Sequence, residues 1–94
     1  MTVEILSVRK AVNIGWDKDA VGNPVAERVD IHTRNPVTGD VSGMLNQPND
    51  GQAVLTYPSD FTGSSQVIVV PAGTAPPEAG TIEPGGGDSG DVEV

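Results

Sequence analysis

The sequence predicts an all-β protein, a small antiparallel sandwich of two sheets followed by an extended, acidic C-terminal arm rich in Gly and Pro. Three observations predict it. Through residues 1–70 apolar and polar residues alternate at period two, valine is the commonest residue, and no window of about 11 residues repeats at the helical period. Clusters of Gly, Pro, Asn and Asp separate the alternating runs at short intervals, as in sandwiches of many short strands. Beyond Pro71 the composition changes: residues 71–94 hold 4 Pro, 6 Gly and 5 acids with no Lys or Arg.

Each element follows from its pattern. In the N-terminal segment Val3 and Ile5 share one face, whereas Leu6, Val8, Val12, Ile14 and Trp16 take the other phase. A single register shift at Ile5–Leu6, from a β-bulge or a bend between two sheets, reconciles them. A strand near 26–34 sets Val29 and Ile31 on a buried face and Arg28, Asp30 and His32 on a solvated one. A strand near 40–46 puts Val41, Gly43 and Leu45 on one face. A strand near 52–57 alternates Ala53, Leu55 and Tyr57 with Gln52, Val54 and Thr56. Residues 35–39 (Asn-Pro-Val-Thr-Gly) and 48–51 (Pro-Asn-Asp-Gly) are turn signals, so these three strands are expected as a meander joined by two hairpins. Residues 67–70 are apolar on both faces, which suits a central strand, and Pro71 ends it by lacking a backbone donor.

The division at Pro71 gives a body, 1–70, and an arm or linker, 71–94. A body of that size buries only about 60% of its extended surface and has one Trp, one Tyr and one Phe to pack. Marginal stability alone, or help from a partner, is therefore expected. Charge narrows the partners. The chain has 5 basic and 13 acidic residues, a formal net charge of −8, which repels phosphate backbones and anionic membranes. The absence of cysteine excludes disulfides and thiolate zinc sites. No apolar run approaches the roughly 18 residues of a membrane span, and no basic head precedes an apolar run at the start. A product made in the cytoplasm without a signal peptide is expected.

Few residues suggest chemistry. His32 and Asp30 lie two apart on one strand face, but catalysis also needs a nucleophile and an oxyanion site, and no motif supplies them. No enzyme activity is expected, and the pair reads as solvated cross-strand residues. Asp17-Lys18-Asp19 with Gly22-Asn23 misses calcium-loop spacing, because the third oxygen position falls on Val21 and no bidentate glutamate follows. Gly85-Gly86-Gly87 lacks the strand-before, helix-after context of phosphate loops and reads as linker. No cofactor or metal is expected. The residues assigned to partner binding are Trp16, Asp17 and Asp19 near one loop, Phe61 in the 59–65 loop, and Thr81, Ile82, Val92 and Val94 in short alternating segments able to add to a sheet edge.

Residues 51–58 (Gly-Gln-Ala-Val-Leu-Thr-Tyr-Pro), the Ser59-Asp60-Phe61-Thr62-Gly63 turn and residues 66–70 (Gln-Val-Ile-Val-Val) resemble the last two strands of bacterial and phage immunoglobulin-like domains. Together with Gly80-Thr81-Ile82, the chain also resembles small accessory virion proteins of tailed phages, including capsid decoration proteins. That resemblance implies an Ig-like sandwich and a non-enzymatic structural protein on the virion surface that binds capsid or other virion subunits and stabilises the particle. It also implies a homo-oligomer, a trimer if the protein sits on a lattice threefold. The other expectation is an Ig-like recognition module binding carbohydrate or a cell-surface partner through Trp16 or Phe61.

Overall fold

The computed structural model describes residues 9–77 and 86–94. The Ile5–Leu6 register shift, Thr81 and Ile82 lie outside the described residues. Among those described, the strands are β1 (Arg9–Gly15), β2 (Arg28–Arg34), β3 (Val41–Pro48), β4 (Gln52–Pro58), β5 (Ser64–Pro71) and β6 (Asp88–Glu93), with a single 3-10 turn at Lys18–Ala20. They form two sheets, β1-β4 and β3-β2-β5-β6, with every neighbouring pair antiparallel. The protein is all-β.

The core lies between the sheets. Val29 and Ile31 of β2 and Val67 and Val69 of β5 meet Leu55 and Tyr57 of β4, and Val21 from the β1–β2 loop is enclosed with them. Val12 and Ile14, followed in phase by Trp16, pack at the margin with Met44, Ala53 and Val92. Burial of each large aliphatic side chain contributes roughly 1.5–3 kcal/mol. Val21 occupies the position that spoils the calcium-loop spacing, and its side chain is a core plug.

Two expectations are corrected. First, β2 is buried on both faces: Asp30 and His32, expected in solvent, are buried along with Val29 and Ile31. The cause is position, since β2 is central between β3 and β5 and the turn after β5 folds over its outer face. Second, the meander is broken. Residues 35–39 do make a β2–β3 hairpin, where Asn35 Oδ1 accepts from Val37 N at 2.9 Å and Thr38 N at 3.3 Å. The 48–51 turn instead carries the chain to the other sheet, where β4 pairs with β1. Asn49 dictates this crossing: its N donates to Glu27 O at 3.0 Å, and its Nδ2 donates to Ala26 O at 2.8 Å and Lys18 O at 3.1 Å. Those bonds hold the turn against the β1–β2 loop and away from β3. Residues 88–93, on the arm side of the Pro71 division, form β6 and pair with β5 at the sheet edge from Ser64↔Glu93 to Val69↔Asp88. Gly63 and Val94 extend the ladder with bonds in both directions, at 2.9 and 3.2 Å.

Two predictions follow from this packing. Ile31→Ala should destabilise the fold by about 2–5 kcal/mol, read as a lower urea midpoint at constant slope. A loss no larger than that from Leu45→Ala, at an exposed position of β3, would overturn the core assignment. Deleting residues 86–94 should lower the thermal midpoint, because it strips β6 from β5 and removes Val92 and Val94 from the core margin. An unchanged midpoint would show that β6 does not stabilise the body.

Candidate functional site

Four of the residues assigned to partner binding meet at one end of the molecule. Trp16 continues β1, donates its backbone N–H to Gly51 O at 2.9 Å and its indole Nε1–H to Asn49 Oδ1 at 2.8 Å. The ring is thereby fixed at the core margin. Asp17 follows as N-cap of the 3-10 turn, its Oδ1 accepting from Asp19 N at 3.0 Å. Asp17 N in turn donates to Asp88 Oδ2 at 2.9 Å, which ties the first loop to the start of β6. Between β1 and β6 lies a groove of about 230 Å³, lined by the side chains of Ile14, Trp16, Val67, Val69 and Val92 with Asp88, and by the backbone around Asp91. The groove is thus apolar beneath and acidic at its edge.

Phe61 sits elsewhere. It stacks on Tyr57 at 5.4 Å between ring centroids, 23° from parallel, and its carbonyl accepts from Lys10 Nζ at 2.7 Å. The phenol of Tyr57 donates to Ser65 Oγ at 3.0 Å inside the body. Phe61 therefore closes one end of the core. Val94 also reaches this end through its bonds to Gly63, while Val92 belongs to the groove. The assigned residues thus divide between two places and do not form one constellation.

The outer face of the four-stranded sheet holds the polar residues that sequence reasoning placed in water. Asp30 is 6% exposed and His32 9%. Asp30 Oδ1 accepts from Asn46 N and Oδ2 from Gly73 N, both at 2.8 Å. His32 Nε2 donates to Thr74 O at 3.3 Å. The β2–β3 register slips between Val29 and Ile31, so β3 carries extra chain there and Asn46 takes a left-handed φ of 55°. The N–H displaced by that bulge is the one that Asp30 binds. Arg28 completes the lock, donating from Nε to Asn46 Oδ1 at 2.7 Å and from a terminal nitrogen to Asn46 O. Asn46 and Asn49 are the residues the sequence reading missed. A lone Asn at a strand end and an Asn inside a turn motif are generic signals, and only the topology gives them partners.

Among the described residues no buried side-chain nitrogen or oxygen lacks a hydrogen-bond partner, and no three His, Asp or Glu side chains converge as a metal site. Asp30 and His32 spend their hydrogen bonds on the backbone. The grooves, about 190–250 Å³, fall below the roughly 300–1,000 Å³ usual for small-ligand pockets. Shallow grooves with apolar floors suit contact with another macromolecule. Comparison of the chain with protein-family models, with curated proteins and with solved structures finds no match in any of the three.

The Asp30 carboxyl has a pH signature. The N–H groups of Asn46 and Gly73 hold its pKa below the ordinary 3.8 against the opposing effect of burial, with His32 adding a smaller pull downward. Above pH 3.8 its contribution to stability is complete. As the pH falls below that value the unfolded chain takes up a proton that the folded chain refuses, so stability declines until the lower folded pKa is passed. Asp30→Asn cannot titrate. It should unfold at lower urea at neutral pH and show a flatter decline in acid; an acid decline matching the wild type would overturn the assignment.

Proposed function

We propose that this chain is a non-enzymatic structural protein that binds an ordered, multi-subunit protein surface in many copies, in the manner of a phage capsid decoration or other accessory virion protein. The observation that carries the reading is the groove between β1 and β6, whose lining joins apolar side chains at Trp16 and Val92 to the acids of β6, with Asp17 bonded to Asp88 beside it. Such a surface fits a basic, partly apolar patch on a protein partner, whose charge steers encounter and whose apolar part holds the complex. A second support is that the buried polar residues maintain the fold, which leaves surface and not chemistry as the working part.

The strand order supports an Ig-like sandwich for this body. In immunoglobulin-like topology, strands B and E are neighbours in one sheet, and C, F and G lie in the other with C′ beside C. Taking β1 as B, β2 as C, β3 as C′, β4 as E, β5 as F and β6 as G reproduces both sheets, β1-β4 and β3-β2-β5-β6, and sets residues 51–70 one strand earlier than the last two strands they resemble. The second reading, an Ig-like module that recognises carbohydrate, draws on the same groove, because Trp16 lies there beside Asn13, Asp88 and Asp91.

Co-sedimentation with particles assembled without this chain tests the proposal. Binding should saturate at a fixed ratio, raise the temperature at which the particle breaks, and weaken as salt screens the acidic rim. Asp19→Lys, exposed beside that rim, should reduce affinity several-fold without changing the fold. Failure to co-sediment overturns the reading. Loss of glycan binding on Trp16→Ala, with particle binding absent, would establish the alternative.

A further inference from the structure

Among the described residues β3 ends its sheet with no strand on its outer side, and that edge is unlike the other strand edges described. Its eight residues, Val-Ser-Gly-Met-Leu-Asn-Gln-Pro, contain no charge, within a chain of net charge −8. Val41 is 46% exposed and Leu45 62%, and with Gly43 they share the outer face of the sheet. Sheet proteins guard such edges with charge, proline or bulges. Here the guards, the bulge at Leu45–Asn46 and then Pro48, stand only at its C-terminal end. The opposite edge of the same sheet is guarded along its length, since β6 carries Asp88, Asp91 and Glu93. On the other sheet β1 begins with Arg9 and Lys10, and β4 exposes a single large apolar side chain, Val54.

We propose that β3 is a self-pairing edge, through which two copies of this chain join by antiparallel β3–β3 hydrogen bonding about a twofold axis at Gly43. Two strongly acidic copies repel over most of their surfaces, so a contact between them is favoured where charge is missing. The register is self-complementary. With Gly43 facing its own copy, Val41 of each chain lies opposite Leu45 of the other, and two exposed apolar pairs are covered at once. The same register brings Asp40 level with Asn46 of the second copy, the residue on which Arg28 lies, so that an acid meets a base at both ends of the contact. Gly43 at the centre of the edge lets β3 run close to β2, because a Cβ there would come within 2.6 Å of Ile31 O and 3.2 Å of His32 Nδ1. The arrangement is a twofold alternative to the threefold that the resemblance implies. It goes beyond particle binding and is measured without particles, so either reading can fail alone.

Sedimentation equilibrium of the full chain, from micromolar to millimolar concentration, tests the proposal. The wild type should show a reversible monomer–dimer equilibrium. L45K should dissociate at least about tenfold more readily, because twofold symmetry applies each substitution twice. V37K, at the hairpin tip outside the paired segment and 90% exposed, should dimerise like the wild type. V41C/L45C tests the register in a chain with no other cysteine. Residues four apart in one strand stand about 13 Å apart, too far to bridge within a chain. Oxidation should therefore give a covalent dimer whose peptides link 41 to 45. A wild type that stays monomeric or forms trimers, an L45K variant that dimerises equally well, or links of 41 to 41 would each overturn the proposal.

Discussion

The structure depends on one carboxylate. Asp30 lies in the middle of a central strand, nearly excluded from solvent, where an unpaired charge is costly. Two backbone N–H groups that no strand partner takes meet that demand, one from the bulge in β3 and one from the turn after β5. The bulge and the charge are therefore two parts of one arrangement. Without the bulge Asn46 would have no N–H to spare, and without the carboxylate that buried N–H would lack an acceptor. Because the turn at Gly73 is drawn over β2, it also covers the outer face and brings Thr74 to His32. The side chains that most resembled a catalytic pair are the bolts of the four-stranded sheet.

This explains how far the sequence was legible. Period-two patterns located β2, β3 and β4 closely, and a run apolar on both faces located β5, since these patterns are written in each run of residues. The phase of β1 was readable too: Val12, Ile14 and Trp16 share the inward set. What could not be read was how the strands are arranged. Pro-Asn-Asp-Gly signals a turn, but whether the chain doubles back beside β3 or crosses to β1 depends on Asn49 finding the carbonyls of Lys18 and Ala26, remote in sequence. The burial of Asp30 and His32 was hidden for the same reason. Their alternation with Val29 and Ile31 describes a strand with one wet face, and only a covering turn from residues 73–74 makes that face dry. At the C-terminus composition alone describes a solvated linker, whereas the alternation around Val92 and Val94 marks a segment able to add to a sheet edge, and that segment lies along β5.

The candidate site was legible in its members and not in their grouping. Trp16, Asp17 and Asp19 are neighbours in sequence, so placing them together needed no fold. Their junction with Asp88 and Val92 joins the two ends of the chain, and it exists because β6 returns to the edge beside β1. Phe61 was singled out as a loop aromatic with no strand face to bury it. The face it uses belongs to Tyr57, against which it stacks to close the end of the core.

Charge then sorts the surface. The acids of the first loop and of β6 gather on one side, whereas β3 and β4 carry no charged residue. In a chain with few basic residues, that separation determines which surfaces can approach what. An acidic rim repels another copy and attracts a basic partner, and a neutral strand edge does neither at long range, so it engages only where backbone groups and apolar side chains fit closely. Because the core is small, any ligand or copy that binds only the folded form adds stability by mass action. The two surfaces can act together without competing: the groove lies between β1 and β6 and the uncharged edge lies along β3, at opposite margins of the four-stranded sheet.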